Sequence, residues 1–272
     1  MRTYVAAGTS GVRAVEEIGG LKFLILGPLE VVDGERLIAL GGAKQRLLLA
    51  ILILHANQVV STDLLCAELS TGRSSSGALA SLYVHVSNLR RLLEASRGPN
   101  FPPIIETRKP GYVLRVRADQ LDVLAFHALV AEARSAVREH RPAEAAVLLG
   151  QALGLWRGPA LADLAHGPFV QTRGVFLEEA RLAALEDRIE ADLLLGRHAE
   201  LVGELRVLVA EHPSREEFHR QLMLALYRCG RQAEALAVYQ ETRRSLIKGF
   251  GIEPSPALRS LEQAILRQDP TI

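Results

Sequence analysis

The sequence predicts an α+β winged helix-turn-helix of the response-regulator type, followed by an all-α, tetratricopeptide-like domain. Three observations carry this reading. Short strands, three helices and a hairpin follow one another between Leu21 and Arg117, strand signals vanish after Leu121, and a 34-residue repeat runs through the helical half.

Residues 1–20 are rich in Gly, Ala and Thr and lack hydrophobic periodicity, so they read as a disordered extension. From Leu21 short apolar runs are broken at Gly27-Pro28 and at Asp33-Gly34, the second a strong hairpin signal, which predicts a small antiparallel sheet. Lys44 to Ala56 is apolar on most positions and free of breakers, hence a largely buried helix that ends at Asn57. Ser61 or Thr62 caps a short second helix running to about Leu69. The polar loop Thr71 to Ser76 follows. A third helix, Gly77 to about Ser96, carries Leu82, Val86, Leu89 and Leu93 as one apolar stripe, and Gly98-Pro99 stops it. Strands near Ile104–Thr107 and Tyr112–Val116, joined through Arg108-Lys109-Pro110-Gly111, make a hairpin with a basic tip. The expected domains are therefore 21–117 and, after a short joint, 121–268.

The second domain is a series of Ala/Leu/Glu/Arg helices. Gly196-Arg-His-Ala199-Glu200 returns as Gly230-Arg-Gln-Ala233-Glu234, 34 residues later, with Ala235 and Tyr239 at the small and aromatic positions of the repeat. A more divergent copy begins at His140, and a segment containing Trp156-Arg-Gly-Pro-Ala lies between it and Gly196.

Charge divides along the same line. Leu21 to Ala118 holds 12 Lys and Arg against 7 Asp and Glu, a net +5, whereas Asp119 to Ile272 holds 18 against 22, a net −4. A basic half beside an acidic one points to nucleic-acid binding by the basic half. With 49% hydrophobic and 23% charged residues, the composition belongs to globular proteins and not to disordered chains. The longest uncharged apolar run, Leu47 to Leu54, is far short of a bilayer span, and a cytoplasmic protein without membrane partners is expected. Cys66 and Cys229 give neither a disulfide framework nor a zinc-ligand spacing.

The chemistry gathers on the third helix. A helix-turn-helix rests one helix across the DNA backbone and lays the next in the major groove, so the reading helix needs one apolar face and one free polar face. Beside the leucine stripe stand Ser81, His85, Ser87, Asn88, Arg90 and Arg91. Asn88 can pair in bidentate fashion with adenine, or His85 and Ser81 can supply single bonds, while Arg90 and Arg91 suit phosphate or guanine. Arg108 and Lys109 have the charge to enter a minor groove or grip phosphate. Solvated helix faces look similar residue by residue, and Arg90 also stands at i,i+4 from Glu94.

Five stretches carry a family resemblance. Leu40-Gly-Gly-Ala-Lys-Gln-Arg-Leu-Leu-Leu-Ala50, Val84-His-Val-Ser-Asn-Leu-Arg-Arg-Leu-Leu93 and Thr107-Arg-Lys-Pro-Gly-Tyr-Val-Leu114 resemble the Streptomyces antibiotic regulatory protein family. Ala152-Leu-Gly-Leu-Trp-Arg-Gly-Pro-Ala-Leu-Ala-Asp163 and Gly251-Ile-Glu-Pro-Ser-Pro-Ala-Leu-Arg259 resemble its bacterial transcriptional activation domain. The resemblance implies an activator that binds direct repeats near a promoter's −35 element as a homodimer or tandem pair. It also implies recruitment of RNA polymerase through its sigma and alpha subunits, commonly for antibiotic gene clusters. It places Ser81, Tyr83, Val84, Ser87, Asn88 and Arg90 against DNA and Lys109 in the minor groove. The loop from Ser70, with Thr71, Gly72, Arg73 and Ser74, would touch polymerase. Where the family usually has Leu-Trp-Gly, this chain has Leu69-Ser-Thr-Gly72.

No phosphate-cradling glycine loop, dinucleotide fingerprint, zinc-protease helix or nucleophile elbow occurs, and the histidines are scattered singly, so no enzyme, metal or cofactor is expected. A tetratricopeptide scaffold or sensor, or a repressor built from the same domains, is the competing reading. The chain ends soon after the helix near Leu258 to Arg267, so an appended ATPase or phosphopeptide-binding module is not expected.

Overall fold

The structure is a computed structural model that describes residues 20–70, 75–95, 102–164, 168–269 and 272. The extension read at 1–20 lies, apart from Gly20, outside the described residues. The chain forms two compact units, one of residues up to Leu24 together with Glu30–Leu121, the other of Ile25–Leu29 together with Asp122–Ile272.

In the first unit, strands β1 (Leu21–Leu24), β2 (Glu30–Asp33) and β3 (Arg36–Leu37) form an antiparallel sheet in that order, with Leu24 opposite Glu30 and Asp33 opposite Arg36 across the Gly34 turn. Helix α1 (Ala43–Leu54) follows and buries Leu48 to Ile53 without interruption. Asn57 ends it in a left-handed conformation, and its side chain both donates to the Val116 carbonyl and accepts from the Val116 N–H. Of the two candidate caps for α2 (Thr62–Leu69), Ser61 is the one used: its Oγ accepts from the Leu64 N–H at 3.2 Å. Val60 and Ser61 also form a two-residue strand, β4, which sequence reading did not anticipate. It pairs with β6 (Gly111–Leu114), which pairs in turn with β5 (Ile105–Arg108), giving the sheet order β4-β6-β5. Helix α3 (Ser75–Glu94) lies between, with Leu82, Val86, Leu89 and Leu93 buried as the stripe required.

The second unit holds α4 (Asp122–Arg138), α5 (Pro142–Gly154), α6 (Pro168–Leu194), α7 (His198–Glu211), α8 (Glu216–Arg228), α9 (Gln232–Phe250) and α10 (Pro256–Leu266). Sequential helices pack as neighbours, and one core runs through α6 to α10 from Ile189 through Phe218 and Tyr239 to Ile265. The repeat is explicit in the backbone. His140, Gly196 and Gly230 all adopt positive φ, and the N–H of the following arginine reaches back five residues each time: Arg141 to Ala136, Arg197 to Asp192, Arg231 to Leu226. This is one Schellman closure used three times, which fixes the same turn between successive helices. Only the first copy has a side chain at the left-handed position, which costs a non-glycine residue about 1–2 kcal/mol. His140→Gly is therefore expected to stabilise the helical unit by up to about 1 kcal/mol after the added freedom of the unfolded chain is subtracted, read as a higher urea midpoint. An unchanged or lower midpoint would show that the histidine is not strained.

The segment between the first and second repeats, Trp156 to Leu164, wraps the excursion Ile25–Leu29. Arg157 N–H donates to the Leu26 carbonyl at 2.7 Å, Leu161 N–H to the Gly27 carbonyl at 2.7 Å, and the Asp163 carboxylate accepts from the Leu29 N–H at 2.7 Å. Among the described residues no helix is long and apolar enough to cross a membrane.

Candidate nucleic-acid interface

The geometry of α3 sorts the predicted contact residues into three groups. Opposite the buried stripe, Ala80, Val84, Ser87 and Arg91 recur at spacings of four, three and four and are all exposed. Tyr83 stands beside them, 53% exposed, and Val84 is 58% exposed. Ser81, His85 and Asn88 lie on one flank and are half-buried. His85 is three residues after Leu82 and four before Leu89, so it rides the edge of the apolar stripe. Its Nδ1 is buried without a hydrogen-bond partner, and burial, with Lys44 nearby, pushes its pKa below the ordinary histidine value. With one ring nitrogen buried, His85 has less of its edge to offer a base. Asn88 Oδ1 stands 3.5 Å from the Arg91 guanidinium, the outer limit of a hydrogen bond.

Arg90 forms the third group. Its Nε donates to the Ile105 carbonyl at 2.7 Å, its Nη2 donates to Thr107 Oγ1 at 2.9 Å, and the guanidinium lies 5.8 Å from the centre of the Tyr112 ring. One turn later, Glu94 accepts from the Ile104 N–H. Arg90 and Glu94, expected to pair with each other, instead hold consecutive residues of the hairpin. The reading helix and the wing are thus clamped together by two side chains on one helical face. Arg90→Ala is expected to lower the stability of the unit by about 1–2 kcal/mol, because two bonds from a charged donor are lost at a partly exposed site. Arg90→Lys should restore less than half of that, since an ammonium cannot serve both acceptors in the same fork. Urea denaturation of the three proteins checks this, and equal midpoints would remove the clamp.

At the wing, Glu106 accepts from Arg115 at 3.1 Å and from Arg108 at 3.2 Å, and these two arginines, Arg115 foremost, hold its carboxyl below the usual glutamate range. Arg108 therefore spends part of its charge within the hairpin. Lys109 at the tip is exposed and, among the described residues, has no ion-pair partner. Behind the tip, Thr62 N–H donates to the Pro110 carbonyl at 3.1 Å, which ties the wing to the start of α2. Of the loop predicted to touch polymerase, Ser70 is the C-cap of α2 and its Oγ donates to the Cys66 carbonyl at 2.6 Å, while Thr71, Gly72, Arg73 and Ser74 lie outside the described residues.

Sequence reading missed two features of this surface. Ala80 is exposed on the outward side of α3, where its spacing from Val84 and Ser87 already placed it, whereas Leu79, three residues before Leu82 and in line with the stripe, is 38% exposed. Thr107 as the partner of Arg90 had no local signal, being 17 residues away. Among the described residues no group of three His, Cys, Asp or Glu side chains is placed to hold a metal ion.

Comparison with known proteins matches both units. Residues 34–114 fit the model for the C-terminal domain of transcriptional regulatory proteins, and residues 121–266 fit the bacterial transcriptional activator domain. Regulatory protein DnrI of Streptomyces peucetius is 37% identical over 252 residues, covering 91% of this chain and 93% of that protein. Regulatory protein AfsR of Streptomyces coelicolor is 42% identical over 259 residues, 94% of this chain, yet the chain spans only 25% of AfsR. Among solved structures, Mycobacterium tuberculosis EmbR in complex with a low affinity phosphopeptide superposes with a TM-score of 0.88 at 36% identity, over 92% of this chain and 66% of that one. With a winged-helix unit and an activator unit in the same order as these relatives, the chain belongs to the Streptomyces antibiotic regulatory protein family of transcriptional regulators.

Proposed function

We propose that this protein is a sequence-specific transcriptional activator that lays α3 in the major groove of promoter DNA and sets Lys109 in the adjoining minor groove. The observation that carries the reading is the outward face of α3, where Tyr83, Val84, Ser87 and Arg91 stand exposed beside a wing tip whose lysine, among the described residues, has no ion-pair partner. Arg91, Arg108 and Lys109 supply phosphate attraction, and Ser81 and Asn88 border the face. The protein binds direct repeats near the −35 element as a homodimer or tandem pair. The Ser70–Ser74 loop and the acidic helical unit meet RNA polymerase through its sigma and alpha subunits, in the cytoplasm. Relatives named as regulators in Streptomyces, DnrI and RedD among them, favour a secondary-metabolite gene cluster as the target.

Footprinting of the full chain on DNA upstream of its neighbouring genes tests this reading. Protection of two tandem sites is expected, with affinity falling steeply as salt rises. Lys109→Ala should weaken binding to all sequences alike and reduce the slope of log affinity against log salt by about 1, the signature of one lost phosphate contact. Binding that is absent, or indifferent to salt, would overturn the proposal.

A further inference from the structure

We infer that base recognition by this protein is dominated by apolar contact with thymine methyl groups, made by Tyr83 and Val84, and that its operator is defined by the placement of thymines. The inference rests on the DNA-binding reading above and deepens it. The family of hydrogen-bonding readers that the helix offers in sequence is largely withdrawn in three dimensions. Arg90 is engaged with Ile105 and Thr107 of the wing. His85 turns a buried ring nitrogen inward, and Ser81 and Asn88 are half-buried on one flank. The face that remains outward is Ala80, Tyr83, Val84, Ser87 and Arg91, of which three are apolar or aromatic.

An isolated exposed apolar side chain needs no explanation, but Tyr83 and Val84 are consecutive, each more than half exposed, and Ala80, one turn before Val84, is exposed as well. Exposed apolar groups gathered on one face with a polar rim are the kind of surface that marks a contact. Cations select which one. Arg91 lies on the same face as Val84, and Arg108 and Lys109 stand at the wing that Arg90 clamps to this helix, so the patch is framed by charges suited to a polyanion. In the major groove the one apolar feature of the base edges is the C5-methyl group of thymine. A branched aliphatic side chain and an aromatic ring at successive helix positions, about 100° apart around the axis, each suit one thymine methyl, and Ser87 can bond to any base without discriminating strongly.

The test uses the full chain and a duplex selected by it from a random pool. The same duplex is then made with deoxyuridine in place of thymidine, which removes only the methyl and keeps the pairing edge. Affinity is expected to fall about fourfold for each contacted methyl, the factor equivalent to burying one methylene. Val84→Ala should weaken binding to the thymine duplex and abolish the penalty for uracil at one position, leaving the penalty at the other. The Val84 side chain is 58% exposed, so this variant is expected to melt with the parent. Equal, salt-dependent affinity for the two duplexes would overturn the inference while leaving the DNA-binding reading intact, and would assign the patch to a protein partner. Failure to select any duplex would overturn both.

Discussion

Gly111→Ala is expected to cost the winged-helix unit about 4 kcal/mol or more and to abolish DNA binding. The reason is steric. Gly111 has no left-handed φ to protect; instead, a Cβ there would fall inside the van der Waals shell of the Val60 carbonyl oxygen, 2.7 Å from the Val60 carbonyl carbon and 2.8 Å from Ser61 Cα. All three atoms are backbone, so no side-chain rotation relieves the clash. The pairing of Ser61 with Gly111 has to open, and it takes with it the Thr62 bond to Pro110 and the Ser61 cap of α2. The wing would then be detached from the helix that precedes the reading helix. Gly34→Ala is the matched control. It sits in the left-handed region with open space around its Cα, so only the conformational penalty of about 1–2 kcal/mol is expected. Hydrogen exchange at Tyr112 and Val113 reports the difference. If the two alanine variants protect β6 equally, the close approach of β4 is not structural.

The recognition helix was legible because its stripe extends over three turns and nothing local competes with it. Strand β4 was not, since two residues cannot display a period, and Val60-Ser61 is a strand only by virtue of β6, some fifty residues away. The polar residues of α3 were legible as a set but not as a geometry. Which of them face outward depends on where the stripe lies and on what the wing recruits, and the hydrogen bonds of Arg90 to Ile105 and Thr107 are tertiary. His85 is the instructive case. Its spacing from Leu82 and Leu89 already placed it at the margin of the buried face, whereas its residue type suggested a reader. The run Phe23 to Leu26 reads as one strand, yet the strand ends at Leu24, because the Ile25 and Leu26 N–H groups are taken by a carboxylate about a hundred residues further on.

That carboxylate belongs to Asp122, and Asp122→Ala is expected to destabilise the helical unit by about 2–6 kcal/mol, the cost of leaving two buried N–H groups without an acceptor. Both Asp122 oxygens accept from the Ile25 N–H, at 3.0 and 2.8 Å, and Oδ2 also accepts from Leu26 at 2.9 Å. Burial pushes the carboxyl above its ordinary range, against the pull of the Leu26 and Ile25 N–H groups. A folded pKa above the unfolded one means that this group's contribution to stability falls as pH rises through the folded value, so ionising it in place carries a cost that the donors offset only in part. Asp122→Asn removes that cost and keeps one acceptor, and should therefore lose less than alanine. Emission from Trp156, the one tryptophan in the sequence, which is buried against Phe126 and Arg181, reports unfolding of this unit specifically. A chain starting at Asp122 would retain every helix of the unit but lack Ile25, Leu26 and Leu29, each fully buried. At about 1.5–3 kcal/mol per buried side chain, their loss is comparable with the whole stability of an ordinary domain, about 5–15 kcal/mol. Such a chain should show red-shifted Trp156 emission and no cooperative melt, and a native-like melt would sink the argument. The chain passes between the two units three times, after Leu24, Leu29 and Leu121, so no single cut separates a complete DNA reader from a complete activator domain.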